Sequence, residues 1–240
     1  MNSVIDTIKG HRSIRAFKDQ AITSEQLNAI IESGISASSS SLLQVVSIIR
    51  VTDKEKRQKL AELAGNQKYV ATAAEFLVFC IDYQRHFEMN PNVKPEFTEL
   101  TIIGAVDSGI MAQNCLLAAE SMGLGGVYIG GLRNSPKQVD EVLGLPKYTA
   151  VLFGMCLGHP AQDPQLKPRL GANVLVHENS YQPLNKAAVE EYDQTMLDYY
   201  QHRSSNVKQQ GWSEQITTKL SQESRPHILG YLNDKGLAKK

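Results

Sequence analysis

The chain has 240 residues, 25 Lys and Arg against 25 Asp and Glu, and a 42% apolar composition. A chain of this size buries roughly 70–75% of its unfolded surface, in one large globular domain or two small ones. Zero formal net charge excludes a general binder of nucleic acid or anionic membrane, which would carry a basic excess.

Residues 3–9 read as a short helix that leads through Gly10 into His11-Arg12-Ser13-Ile14-Arg15. Clustered cations repel one another unless an anion lies between them, and the planar Arg fork suits phosphate. Two readings stand here, an anion clamp and a solvated basic turn. Thr23 and Gln26 form a capping-box pair before a helix with Leu27, Ile30, Ile31, Gly34 and Ile35 on one face. The run Ser38-Ser39-Ser40-Ser41 that follows is either a polar linker or a ligand-facing loop.

Residues 45–51 are a β-branched strand, and 53–64 an amphipathic helix closed by Gly65. After Asn66-Gln67, a short helix over 69–74 precedes an apolar strand over 76–83, which suits burial on both faces. Asn90, Pro91, Asn92 and Pro95 mark a loop. Residues 97–122 are a long helix, apolar on nearly every side and therefore central. Ala105, Ala112, Ala118 and Ala119 admit a close helix neighbour, and Asp107 reads as a structural hydrogen-bonding residue. Asp107, Gln113, Asn114 and Glu120 interrupt this region as a bilayer span.

Five glycines fall within residues 123–131, around Val127-Tyr128-Ile129, which reads as a strand whose ends approach something closely. A capped helix over 135–143 and a buried strand over 150–157 follow. Lys167-Pro168-Arg169 is a second basic cluster, and two such clusters in a neutral chain suggest one bound anion. Helices over 186–202 and 213–222 flank a polar stretch, 204–210, expected to be mobile. Residues 224–236 read as a tail.

Cys80, Cys115 and Cys156 lie in apolar runs without metal or redox spacing, and read as buried reduced thiols. With no apolar signal segment near residue 1, the expected compartment is the cytoplasm. No dinucleotide fingerprint, Walker motif or zinc-protease motif is present, and the six His show no metal spacing, so no metal site is expected. What remains is a phosphate clamp, a glycine-lined backbone and a hydroxyl and amide set, Ser39 and Gln67. These parts suit a phosphorylated planar cofactor such as FMN, whose anionic reduced form a guanidinium stabilises.

Taken together, Gly-His-Arg-Ser-Ile-Arg at 10–15, the serine run with Leu42-Leu43-Gln44, Gly65-Asn66-Gln67, the glycine-rich stretch to Arg133 and Lys167-Pro168-Arg169 resemble the nitroreductase family. Within it they are similar to the branch of NADPH-dependent flavin reductases and oxygen-insensitive nitroreductases. The resemblance implies one α+β domain over 1–240, with a central mixed sheet flanked by helices and a long central helix. It also implies an intertwined homodimer, embraced by a helical excursion around 185–240.

For the site, the resemblance implies that His11, Arg12, Ser13, Ile14 and Arg15 meet FMN, with Ser39, Gln67 and the strand residues Tyr128, Ile129, Gly130 and Gly131. Lys167, Pro168 and Arg169 complete its phosphate clamp. Arg203 selects NADPH through its 2′-phosphate, and Glu99 lines the substrate pocket. The implied reaction is ping-pong: hydride passes from NADPH to FMN and then to free flavin, nitroaromatics or quinones, with no catalytic protein residue. The alternative is a flavin carrier that delivers reduced FMN to a partner enzyme, and a luciferase is among the partners the resemblance suggests.

Overall fold

The structure, a computed structural model, describes residues 3–203 and 207–240. Of the polar stretch expected to be mobile, residues 204–206 lie outside the described residues. The chain forms two compact units, Met1–Pro164 with Arg225–Lys240, and Gln165–Ser224. The second unit therefore begins and ends earlier than the expected excursion over 185–240, and the last residues return to the first unit.

In the first unit, α1 (Val4–Lys9) and α2 (Ser24–Ile35) each start on a capping box, Ser3 with Asp6 and Thr23 with Gln26. β1 (Val46–Arg50), α3 (Lys54–Leu63), α4 (Tyr69–Thr72) and β2 (Glu75–Asp82) follow, then α5 (Gln84–Met89), α6 (Thr98–Ser121), β3 (Gly125–Ile129), α7 (Pro136–Leu143) and β4 (Thr149–Gly158). The sheet order is β1-β2-β4-β3. β2 is buried on both faces over nearly its whole length, as its unbroken apolar run requires.

Every strand pairing is antiparallel, where a mixed sheet was expected. The register gives the reason. β1 ends with Arg50 opposite Leu77 near the start of β2, so the α3–α4 excursion returns to the end of the sheet it left. The excursion between β3 and β4 does the same, with Ile129 opposite Gly154. A parallel pair needs a crossover to the opposite end.

α6 crosses the unit between α2 and the sheet. Closest approach falls at glycines: a Cβ on Gly34 would lie 2.3 Å from Cys115 Sγ, and one on Gly104 2.7 Å from Ile81 Cγ2. Ala112 and Ala119 are buried on that side, whereas Ala105 faces outward with Ile102, Val106 and Ile110. By length and composition α6 meets the requirements of a membrane span, with a mean hydropathy of 1.4. Here its inner face is instead part of the protein core.

Two helix ends correct the sequence reading. Ser135 makes no capping bond to α7, because its backbone (φ −140°, ψ 59°) lies off the usual capping geometry. Pro136 at the first helical position and left-handed Gly144 (φ 68°) bound that helix instead. The expected tail contains α11 (Ile228–Asp234, numbered after the three helices of the second unit). Tyr231 of α11 donates to Asp140 Oδ1 at 2.8 Å and accepts from Val151 N at 3.0 Å, while Lys235 pairs with Asp140 Oδ2 at 2.9 Å.

The second unit holds α8 (Ala172–Leu175), α9 (Lys186–Gln201) and α10 (Trp212–Leu220). Asn185 caps α9, accepting from Ala188 N at 3.2 Å. Asp193 receives the Ser213 N–H at 2.7 Å, and Tyr192 meets Trp212 edge to face at 5.7 Å, so these contacts pin α9 to α10.

Candidate functional site

The basic segment is built into the edge of the sheet. Ile14 is buried and donates its N–H to Gly126 O at 3.0 Å, which covers the open edge of β3. Gly125 makes this approach possible, since a Cβ there would lie 2.5 Å from Ile14 Cγ1. With Ile14 inside, its neighbours Ser13 and Arg15 are turned toward the surface. Among the described residues Arg15 donates only to Ser13 O, at 3.5 Å.

His11 and Arg12 are held by acids. His11 Nδ1 lies 2.6 Å from Glu120 Oε1 of α6. Arg12 Nη1 lies 3.1 Å from Asp163 Oδ1, whose side chain is 86% exposed, so water screens that pair. Arg12 Nε is buried and, among the described residues, has no hydrogen-bond partner. A buried guanidinium N–H without an acceptor is costly and points to a missing anionic or carbonyl oxygen.

The glycine-rich stretch differs from expectation. Tyr128 and Ile129 are on β3, but Gly130 and Gly131 begin a 3-10 turn, Gly130–Asn134. A Cβ on Gly131 would lie 2.3 Å from Ala64 O and 2.5 Å from Gln67 Nε2, so this glycine seats the turn on the Gln67 loop. A Cβ on Gly130 would make ordinary contact with the Arg133 guanidinium, with Nη2 the nearest atom at 3.4 Å. Ile129 is fully buried and paired with Gly154 of β4, so it presents no exposed surface to a ligand. Tyr128 donates to Gln113 Oε1 at 3.2 Å and packs edge to face on Phe153. Burial raises its phenol pKa, which keeps it a donor.

Gln67 donates from Nε2 to Ala64 O at 2.6 Å, and its Oε1 accepts from Tyr69. An amide nitrogen carries two hydrogens, so a second N–H remains for a ligand. Arg133 donates to Leu152 O, and burial, with Arg225 nearby, lowers its guanidinium pKa.

Ser39 precedes a tight 3-10 turn, Ser40–Leu42, and lines a cavity of about 440 Å³ with Ser38, Leu42, Asp107 and Met111. Glu99 is exposed in the first turn of α6 and does not line that cavity.

Lys167, Pro168, Arg169 and Arg203 belong to the second unit. Pro168 O accepts from Tyr192 at 3.0 Å, and Arg169 folds back on Lys167 O at 2.9 Å. Gly171, which precedes α8, has φ −73°, an extended backbone that needs no glycine. Lys167 Nζ, Arg203 Cζ and Lys208 Nζ lie 5.6, 5.9 and 5.2 Å from the ring centroid of Tyr200, which is buried. Arg203 also faces Tyr199 at 5.6 Å. Among the described residues none of these three cations pairs with a carboxylate. Three like charges gathered on one ring form an anion-attracting surface. The sequence reading missed Lys208 and Tyr200, although a Tyr-rich helix flanked by basic residues was a usable signal.

Family models match the nitroreductase family over residues 8–159 and the nitroreductase family, C-terminal domain, over 167–240. The chain is 69% identical over 240 residues, all of both chains, to the NADPH-flavin oxidoreductase of Vibrio harveyi. It is 50% identical over 238 residues, 99% of each chain, to the oxygen-insensitive NADPH nitroreductase of Salmonella typhimurium. Among solved structures, nitroreductase A from Vibrio parahaemolyticus matches at TM-score 0.95 and 68% identity, over 100% of both chains. The NADPH:FMN oxidoreductase from Vibrio harveyi complexed with NAD⁺ matches at TM-score 0.94 and 67% identity, again over 100% of both chains. Matched along both stretches, and aligned end to end with these relatives, the chain belongs to the nitroreductase family.

Proposed function

We propose that this chain is an FMN-containing, NADPH-dependent oxidoreductase that reduces free flavin, nitroaromatics and quinones in a ping-pong cycle. The observation that carries the reading is the basic segment 11–15, fixed to the β3 edge by Ile14 and presenting a buried, unpartnered Arg12 Nε. The donor set fits a phosphorylated flavin. N–H donors from His11 and the guanidinium groups of Arg12 and Arg15 suit a phosphate, and the second N–H of Gln67 suits the polar rim of a ring.

When bound, FMN supplies the two-electron hydride chemistry, so that no protein acid or base has to react. The protein's residues bind, orient and set the electrostatics. In the second unit, Arg203 with Lys167 and Lys208 on Tyr200 offers a phosphate surface that suits the 2′-phosphate of NADPH. The outward apolar row Ile102, Val106 and Ile110 of α6 supports a homodimer. The unpaired, buried Cys80, Cys115 and Cys156 suit a reducing, cytoplasmic setting. Reduced free flavin is a substrate for other enzymes, a luciferase among them.

The test is an anaerobic visible spectrum of the purified protein before and after NADPH. A yellow protein bleached faster by NADPH than by NADH is expected. Arg203→Ala should then cost NADPH use about 1.5–3 kcal/mol in kcat/KM, roughly 10- to 150-fold, and leave NADH use nearly unchanged. A protein that stays colourless with added FMN would overturn the reading. A yellow protein that NADPH does not bleach would be a carrier.

A further inference from the structure

Residues 39–44 hold a backbone that few sequences adopt. Ser41, Leu42 and Gln44 have φ of 47°, 55° and 54°, all left-handed and none glycine. Side chains with a Cβ avoid this region, and such strain persists only where the surroundings over-determine it.

Three side chains from other elements close on this loop. Asp107, buried in the middle of α6, accepts the Ser40 N–H at 3.1 Å through Oδ1 and 3.3 Å through Oδ2. Among the described residues its carboxylate has no other hydrogen bond. His86 of α5 lies with Nε2 2.7 Å from Leu43 O, close enough to donate to it. Its Nδ1 is buried without a partner among the described residues, where the ring's one hydrogen bond is to the loop. Arg85 donates to Gln44 O at 3.1 Å and is itself held by Ser47 Oγ at 2.8 Å and Asp82 Oδ2 at 3.0 Å. The clamped loop is one wall of the 440 Å³ cavity, to which Ser38 and Ser39 contribute.

We infer that Asp107 and His86 are positioning residues that lock the serine loop in its strained form, so that Ser38 and Ser39 form a pre-set hydroxyl wall for the flavin cofactor. The assignment of that wall to the flavin rests on the function proposed above; the lock itself does not. A loop fixed before binding loses little freedom when the ligand arrives, so the lock acts on affinity. Asp107 holds the loop at Ser40 and His86 holds it at Leu43. Asp107 also lines the cavity and His86 does not, so the effect of the lock on affinity is read at His86.

The experiment compares variants that keep or remove each bond. Asp107→Asn keeps an acceptor for Ser40 N, and His86→Gln keeps a donor for Leu43 O; Asp107→Leu and His86→Leu remove them. Amide hydrogen exchange is read in the flavin-free protein, and FMN affinity by quenching of flavin fluorescence. Each Leu variant is expected to speed exchange at residues 38–44 by about tenfold or more, with α6 and the sheet unchanged. His86→Leu, which leaves the cavity lining intact, should weaken FMN by a comparable factor while kcat at saturating FMN stays within about twofold. The Asn and Gln variants should stay close to the parent. Parent-like exchange in both Leu variants, or loosening spread evenly over α6 and the sheet, would overturn the lock. A loosened loop with unchanged FMN affinity would overturn the hydroxyl wall. A parent that never binds FMN would instead refute the proposed function, while the exchange result still judges the lock. Where Asp107→Leu does not fold, His86→Leu makes the same test from the other end of the loop.

Discussion

Gly125→Ala tests how the basic segment is held. Gly125 pairs with Gly158 on β4, and Ile14 lies across it. The added methyl carbon would sit 2.5 Å from Ile14 Cγ1, and 3.1 Å from both Ile14 Cβ and Pro160 Cγ. Carbon atoms rest at about 3.5–4.0 Å, so Ile14 has to retreat by about 1 Å. Overpacking of that kind costs about 1–3 kcal/mol of stability. The retreat carries Arg12 and Arg15 with it, because Ile14 anchors the stretch between them to Gly126 O. A charge-assisted hydrogen bond is worth about 1.5–3 kcal/mol, so losing one to a phosphate weakens FMN by at least roughly tenfold. Urea unfolding measures the first effect and flavin fluorescence quenching the second. Ile14→Ala alone should cost about 2–5 kcal/mol through the cavity it leaves. The double variant should cost less than the sum of the two, since the new methyl then occupies vacated space, with a coupling of about 0.5–3 kcal/mol. Parent-like stability and FMN affinity in Gly125→Ala, or strict additivity in the double variant, would refute the reasoning.

The three thiols should be inert in the folded protein. Burial pushes Cys115 up to about 11 and Cys156 up to about 12, and raises Cys80 as well, so a disulfide reagent at neutral pH should label none until denaturant is added. Asp82 governs part of the acid limb of stability. Burial pushes its carboxyl up, but hydrogen bonds from Ser47 and Arg85 outweigh this and leave it below the ordinary range. Its contribution is present above the unfolded value of about 3.9 and is lost as pH falls through the lower folded value. Ser47→Ala should therefore move the midpoint of acid unfolding to higher pH, read by circular dichroism; an unmoved midpoint would refute the assignment. Val106→Glu places a carboxylate in the outward apolar row of α6, and an unpaired charge in a dry interface costs several kcal/mol. On the proposed homodimer, sedimentation is expected to show dimers for the parent and monomers for the variant; a dimeric variant would remove α6 from the interface.

What the sequence made legible was mostly local. The Thr23–Gln26 capping box is a contact between residues three apart, and the apolar run of β2 announces its own burial. Family motifs carried the reading of the basic segment. The rest depended on partners distant in the chain. Asp107 was read as a structural hydrogen-bonding residue, but its partner, Ser40 N, lies on a different element. His86 drew no attention, because nothing near it in the chain points to Leu43 O. Gly130 and Gly131 looked like the end of a strand. What turns them out of the sheet is Ala64 O, a contact that no local pattern encodes. The antiparallel sheet had the same origin, since element order alone does not say at which end of the sheet an excursion returns.

α6 explains why one apolar helix had to carry acids. Glu120, near its C-terminal end, takes His11 of the basic segment, and Asp107, near its middle, takes Ser40 of the serine loop. At about 1.5 Å per residue the two acids are about 20 Å apart along the axis. The helix is therefore a ruler with a binding element hung at each mark. Its inner face between them is packed against α2 and the sheet through Gly34, Cys115 and Ala112. A carboxylate at either mark is costly to bury, and a solvent-facing acid would avoid that cost. Each is kept inside by the backbone or side chain it holds. Replacing the apolar residues between the marks with others of equal volume should preserve both elements, whereas inserting a single residue between Asp107 and Glu120 would rotate one acid by about 100° and release its partner.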